Sequence, residues 1–156
     1  MEFLRTIDVD GTLVGAASRT TEQAIDIGQM LTGDVTLETV FPGTPLGNQL
    51  KQVAKVIKFN ATSPSLGLNR QIFFCQLGGF DTHQGQVNTQ ASLLTQVSQA
   101  IKAFYDSTVE LGVDGQVTTF TLSDFGRTLQ PSGTGAGIVG TDHAWGNHLL
   151  IVGGAV

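Results

Sequence analysis

The order of apolar segments in the middle of the chain constrains its fold more than any other feature. A short apolar segment at 71–77 (QIFFCQL) ends at a glycine pair, which predicts a buried strand. The amphipathic pattern over about 89–111 predicts a long helix, and the β-branched segment 117–122 predicts a second strand. Two strands joined by such a helix are parallel, with a right-handed connection. The sequence therefore predicts the α/β class.

Further elements fit this class. The segment 19–31 predicts a helix that opens at Thr20 or Thr21, and 148–152 predicts a third strand. Thr44-Pro45 is typical of a helix start, and the apolar positions that follow fall on one helix face: Leu46, Leu50, Val53, Ala54 and Ile57. Between the last two strands, 124–147 is rich in Gly, Ser and Thr and predicts a long loop.

Length and composition indicate one domain over 1–156, in which 45–156 carries the motifs and 1–44 has no clear assignment. The net charge of −5 and the scattered basic residues argue against nucleic acid or anionic membranes as partners. No apolar segment reaches the roughly 18 residues of a membrane span, and the start does not resemble an export signal. The single cysteine, Cys75, is expected to be a small buried apolar residue.

The two ends of the chain are unusual for a complete α/β domain. An apolar strand at 148–152 comes directly before the last residues, and the first six residues offer few bulky core candidates. We therefore expect a fragment of a doubly wound, mainly parallel sheet that is flanked by helices and incomplete at both ends. Its missing partners would be the flanking segments of the same domain.

Three short motifs contain every histidine of the chain, and each also contains an aspartate: GGFDTH at 78–83, SDFGRT at 123–128 and GTDHAWGNH at 140–148. In an extended loop, Asp81 and His83 point the same way and can bind one cation. Asp124 follows the second predicted strand. Because ligands bind beyond the carboxyl ends of parallel strands, Asp81, His83 and Asp124 are expected to converge.

The third motif adds His143 and His148 on either side of Trp145, which in a polar loop is expected to pack against or shield a site. Oxygen and imidazole ligands suit Zn, Mn, Fe or Mg. Simpler interpretations remain open: Asp81-x-His83 can be a turn with a solvated histidine, and Asp124 can form an ion pair with Arg127. Otherwise, Arg127 is a possible contact for an anionic substrate oxygen.

Taken in order, the three motifs resemble a bacterial family of uncharacterised, typically exported proteins that is placed with the alkaline phosphatase and sulfatase superfamily. The resemblance covers about 45–156 and is most specific over 71–156. It implies an alkaline phosphatase-like fold, a two-metal centre and a periplasmic or exported location. By position, Asp81 and His83 resemble ligands of one metal, Asp124 resembles a ligand of the second, and His143 or His148 resembles a later metal-binding histidine.

The chain departs from the superfamily in two respects. Phosphatases of the superfamily have a histidine directly after the second-metal aspartate, where this chain has Phe125, and they have a nucleophile after the first strand, for which no candidate is present. The function implied is a metal-dependent hydrolase of phosphate or sulfate esters, with the chain alone expected to be inactive. The alternative is a non-catalytic binding or surface-associated module of the same fold.

A second alternative comes from the N-terminus. Ile7-Asp8-Val9-Asp10-Gly11-Thr12 resembles the first motif of haloacid dehalogenase-type phosphatases, in which Asp8 would be the nucleophile and Asp10 the general acid, with Mg²⁺ between them. Such a site needs a buried apolar strand before the first aspartate, and Glu2, Arg5 and Thr6 do not fit one.

Overall fold

The computed structural model describes residues 13–31, 35–62, 69–133, 139–154 and 156. The chain divides into two compact units, one made of Met1–Thr36 with Lys55–Ile72 and the other of Leu37–Ala54 with Phe73–Val156. The three motifs all lie in the second unit. Asp8 and Asp10, on which the dehalogenase interpretation depends, lie outside the described residues.

The first described helix, α1, spans Leu13–Leu31 and thus confirms the predicted helix but begins earlier than expected. Thr20 and Thr21 do not cap it. Their hydroxyls donate to the carbonyls of Ala16 and Ala17, at 3.0 and 2.8 Å. A threonine inside a helix commonly bonds the carbonyl four residues back, so a pair of threonines does not by itself mark a helix start.

The second helix, α2, spans Pro45–Thr62 and confirms the start predicted at Thr44. Thr44 Oγ1 accepts a hydrogen bond from the Gly47 N–H at 3.2 Å, as expected of a residue that caps the helix. Four of the five residues on the predicted apolar face are buried: Leu46, Leu50, Val53 and Ala54. The fifth, Ile57, is half-buried.

The third helix, α3, spans Gln86–Glu110 and confirms the long amphipathic helix. Its C-terminal half contributes Ala100, Ala103 and Phe104 to the core, whereas Leu94 is exposed. The helix ends where Gly112 takes the left-handed conformation, with φ at 68°. The N–H groups of Gly112 and Val113 then return to carbonyls of the last turn, a common helix ending that requires such a glycine.

A 3₁₀ turn at Asp114–Gln116 leads into the strands. Among the described residues there are four, and they form two separate antiparallel pairs. Strand β1 (Thr119–Phe120) pairs with β4 (Ile151–Val152), so the strands predicted at 117–122 and 148–152 are present but short. Strand β2 (Gly126–Ser132) pairs with β3 (Gly140–Ala144). The prediction of a structureless loop over 124–147 is therefore wrong. The sequence pattern did not indicate these two strands, because strands are usually recognised by alternating apolar residues and these contain mostly polar residues and Pro131.

The segment 71–77 forms no strand in the part of the chain that the structure describes. Ile72 and Phe74 are 98% and 86% exposed, so the expectation of a buried strand is wrong here. Cys75 is only half-buried, which is enough to raise the pKa of its thiol. A strand needs a neighbour to pair with, and an apolar sequence alone does not supply one. The doubly wound parallel sheet stays a prediction.

None of the helices in the described ranges has both the length and the apolar character that crossing a membrane requires.

Candidate metal centre

The loop before α3, residues 78–85, is called the ligand loop and presents Asp81 and His83 on one side and Thr82 on the other. The Thr82 side chain is buried at 4% exposure and its hydroxyl accepts a hydrogen bond from Gln90 Nε2 at 2.9 Å. Its N–H donates to the Phe80 carbonyl at 2.9 Å, which tightens the turn. With Thr82 anchored on α3, the side chains before and after it face solvent, and His83 Nε2 lies 2.9 Å from Asp81 Oδ1.

Strand β3 brings His143 to the same point. His143 Nε2 lies 2.8 Å from Asp81 Oδ1, across a separation of 62 positions in sequence. The strand can come this close because Gly140 lies directly against the loop. A Cβ atom at Gly140 would be 2.2 Å from the carbonyl carbon of His83 and 2.4 Å from the Thr82 oxygen. No side chain larger than hydrogen fits this position without moving the backbone.

The ligand group formed by Asp81, His83 and His143 has the composition of a cation site. One ligand atom from each residue lies within 4.8 Å of the other two. The side chains of Asp81, His83 and His143 are 53%, 49% and 51% exposed. Around a tetrahedral Zn²⁺, with bonds of about 2.0–2.1 Å, such atoms would lie about 3.3 Å apart. The distances from Asp81 Oδ1 to the two ring nitrogens, 2.9 and 2.8 Å, are close to this spacing.

Arg127, on β2, contacts the carboxylate of this group. Its Nη1 donates to Asp81 Oδ1 at 2.7 Å, and its side chain is only 14% exposed. The hydrogen bond with His143 lowers the pKa of Asp81 most, and the bond with Arg127 lowers it next. Asp81 therefore stays ionised, and able to bind a cation, to lower pH than an ordinary aspartate. The ion pair between Asp124 and Arg127, which the sequence left open, is not found among the described residues, and Arg127 pairs with Asp81 instead.

Phe125 supports the ring of His143 from one side. The two rings are stacked, with centroids 3.9 Å apart and planes 19° from parallel. From the resemblance to the alkaline phosphatase superfamily, a histidine was expected at this position. Here the side chain contacts the predicted ligand and offers no ligand atom of its own. The sequence marked Phe125 only as a departure and gave no sign of the stacking.

Asp142 contacts the outer side of His83. Its Oδ1 lies 3.3 Å from His83 Nδ1, while His83 Nε2 faces Asp81. A carboxylate thus lies next to each ring nitrogen of His83. With a cation bound at Nε2, the proton would sit on Nδ1 and be donated to Asp142, which would fix the orientation of the ring.

Two of the five predicted metal ligands are not in the ligand group. Asp124 and His148 are both exposed, and neither belongs to the one group of three or more possible ligands found among the described residues. Their segments are joined, because Asn147 Nδ2 donates to the Ser123 carbonyl at 3.4 Å. Trp145 is fully exposed and shields nothing, so the expectation that it packs against the site is wrong.

A protein-family model with the description "Protein of unknown function (DUF1501)" matches residues 66–156, more than half of the chain of 156 residues. The chain belongs to the DUF1501 family. The match includes all three motifs and the whole ligand group, and it confirms the expectation of a family of unknown function. No curated protein and no solved structure matches the chain.

Proposed function

We propose that this DUF1501 chain binds a divalent transition metal ion through Asp81, His83 and His143. We further propose that this centre serves the hydrolysis of phosphate or sulfate esters. The observation that carries the proposal is the convergence of three ligand atoms within 4.8 Å from segments far apart in sequence. A turn with a solvated histidine does not account for a second histidine that a glycine contact holds against the same carboxylate.

The ligands suit the chemistry of such an enzyme. One carboxylate and two imidazoles match the donor preference of Zn²⁺ and also suit Mn²⁺. Three protein ligands at a half-exposed site leave coordination positions open for water or substrate, as in catalytic rather than structural zinc sites. A bound ion would supply Lewis-acid polarisation of an ester oxygen and activation of water. We propose a single ion, because Asp124 and His148 lie outside the ligand group.

The choice of phosphate or sulfate esters depends on the resemblance to the alkaline phosphatase and sulfatase superfamily. Arg127 is a predicted contact for the substrate anion, but its guanidinium is directed at Asp81 and Thr141. That engagement favours the second candidate function, a module that binds metal without catalysis. The two candidates share the metal site and differ only in turnover.

A metal titration tests the proposal. Zn²⁺ and Mn²⁺ affinity would be measured by chelator competition for the wild type, His143→Ala and His148→Ala, with circular dichroism as the check on folding. We expect His143→Ala to weaken binding by more than the roughly 10–100-fold that loss of an outer partner costs. His148→Ala is the matched control, since His148 is exposed and outside the ligand group, and we expect it to stay within about threefold of the wild type.

The pH dependence of metal affinity is an independent test of the proposal. Imidazoles must be neutral to bind a metal, whereas the lowered pKa of Asp81 keeps its carboxylate ionised. Affinity should therefore fall as the pH is lowered, through protonation of the two histidines. No binding by a folded wild type, or equal losses in both variants, would refute the metal site. Binding without hydrolysis of p-nitrophenyl phosphate or sulfate would favour the non-catalytic module.

A further inference from the structure

The guanidinium of Arg127 is held along one edge by a single residue, Thr141. Arg127 Nε donates to Thr141 Oγ1 at 3.0 Å, and Nη2 of the same edge donates to the Thr141 carbonyl. The guanidinium is a rigid planar fork, so fixing the edge formed by Nε and Nη2 also fixes the direction of Nη1. That remaining nitrogen donates to Asp81 Oδ1 at 2.7 Å.

The hydroxyl of Thr141 is itself oriented by α3. It donates to Gln86 Oε1 at 2.8 Å, and Gln86 is the first residue of that helix. A hydroxyl has one hydrogen to donate, so the bond to Gln86 turns its lone pairs toward Arg127. The backbone N–H of Gln86 also donates to the Val139 carbonyl at 3.3 Å, which holds the residue before β3 against the helix.

We propose that Thr141 is a positioning residue for the metal ligand Asp81, acting through Arg127. This inference rests on the proposed function, because it assigns a role in metal binding. The chain of hydrogen bonds runs from Gln86 through Thr141 and Arg127 to Asp81. It joins α3, β3, β2 and the ligand loop at one carboxylate.

Asp81 gains from such support because its side chain is half-exposed, and its other contacts in the ligand group are with the two histidines that would themselves turn to the metal. A carboxylate oxygen has more than one lone pair, so Oδ1 can accept the Arg127 N–H and still bind a cation. Holding the carboxylate toward both histidines reduces the ordering that metal binding requires. Outer partners of this kind typically contribute 10–100-fold to metal affinity.

Arg127 also has an effect that weakens metal binding, because its positive charge repels a cation. A variant without the arginine would lose this repulsion and the orientation of Asp81 at the same time. Thr141→Val separates the two, because valine keeps the shape and the strand preference of threonine and leaves the charge of Arg127 in place. Thr141→Ser restores the hydroxyl and should rescue the variant.

The experiment compares Zn²⁺ affinity in the wild type, Thr141→Val, Thr141→Ser and Thr119→Val. Thr119 lies in β1, outside the hydrogen-bond chain, and serves as the matched Thr-to-Val control. We expect Thr141→Val to bind about tenfold more weakly, and the other two variants to stay within about twofold of the wild type. In the metal-free proteins, the NMR signal of the Arg127 Nε–H should exchange slowly with water except in Thr141→Val.

The outcomes separate this inference from the proposal on which it rests. If the wild type binds Zn²⁺ and Thr141→Val binds it equally well or more tightly, the positioning role is refuted and the metal site stands. Equal weakening in Thr141→Val and Thr141→Ser would also refute it, since the hydroxyl would then not be the cause. If the folded wild type binds no Zn²⁺, the proposed function fails, and this inference fails with it.

Discussion

Two antiparallel ribbons lie in the same unit of the molecule, and they are held in different ways. The site ribbon, formed by β2 and β3, carries Arg127 and His143 and is tied to α3 and the ligand loop by side-chain hydrogen bonds. The apolar ribbon, formed by β1 and β4, pairs over two residues in each strand. Its facing residues Phe120 and Ile151 are 58% and 51% exposed. In this protein, polar contacts rather than apolar burial define the site ribbon.

This contrast explains how a half-exposed site keeps its geometry. A two-stranded ribbon is marginally stable by itself. The site ribbon gains support from hydrogen bonds to charged groups, which contribute more than neutral ones, and from the close approach at Gly140. The apolar ribbon has β-propensity but leaves its large side chains in water, so most of the gain from burial is not realised. The predictions that follow test this division.

The largest effect is expected from Gly140→Ala, which breaks the contact between the site ribbon and the ligand loop. Its Cβ would lie 2.2 Å from the carbonyl carbon of His83, so β3 must move away and take His143 with it. We expect Zn²⁺ affinity to fall more than 100-fold and the free energy of unfolding to drop by about 1–3 kcal/mol, as for other overpacked positions. Chelator competition and urea unfolding measure the two changes.

Gly78→Ala is the matched control, since a Cβ there meets nothing within 4 Å and Gly78 lies in the same loop. A Gly140→Ala protein that binds Zn²⁺ as tightly as Gly78→Ala would contradict the close contact between β3 and the ligand loop.

A smaller effect is expected from Asp142, the carboxylate on the outer side of His83. Asp142→Ala removes the acceptor that lies 3.3 Å from His83 Nδ1, and we expect Zn²⁺ affinity to fall about tenfold. Asp142→Asn keeps an oxygen acceptor without the charge, so its loss should be smaller. In the Zn²⁺-loaded protein, nitrogen NMR should show the His83 Nδ1–H hydrogen-bonded in the wild type and open to water in the alanine variant. An unchanged Nδ1 signal and unchanged affinity in Asp142→Ala would show that the contact is incidental.

The smallest effect on metal binding is expected from the apolar ribbon. Replacing Phe120 and Ile151 together by threonine keeps two good strand formers and removes the exposed apolar pair. Zn²⁺ affinity should stay within about twofold of the wild type, while binding of an apolar fluorescent dye and self-association should decrease. The single variants are the controls. A marked loss of metal affinity in the double variant would mean that the site depends on the apolar ribbon after all.

The sequence predicted the helices better than the strands, for a physical reason. The apolar faces of α2 and α3 repeat within one segment, and the Thr44 cap is local, so both are visible without knowledge of the rest of the chain. A strand is stabilised by a partner that is distant in sequence. The apolar segment 71–77 was therefore predicted as a strand but forms none, and the two polar strands of the site ribbon were not predicted.

The candidate site was predicted in part, and through a different route from the one that the structure uses. The motifs pointed to Asp81, His83 and His143, which come together. The parallel-sheet argument grouped Asp124 with them, whereas an antiparallel ribbon brings His143 instead. The bond between Thr141 and Gln86 joins positions 55 apart, and no local pattern marks either residue. Side-chain partners of this kind depend on tertiary geometry and cannot be read from spacing.

The bond between Arg127 and Asp81 also has a consequence for the overall charge of a loaded centre. The +1 of Arg127 cancels the −1 of Asp81, and the Asp142 carboxylate next to His83 contributes a further −1. With neutral imidazoles, these three groups sum to −1, so a divalent ion would leave the centre at about +1. A chain with a formal net charge of −5 would then carry a local field that attracts anions. The positive charge of the loaded centre would then attract a dianionic ester, such as a phosphate monoester, to the place in the described chain where we propose that a metal binds.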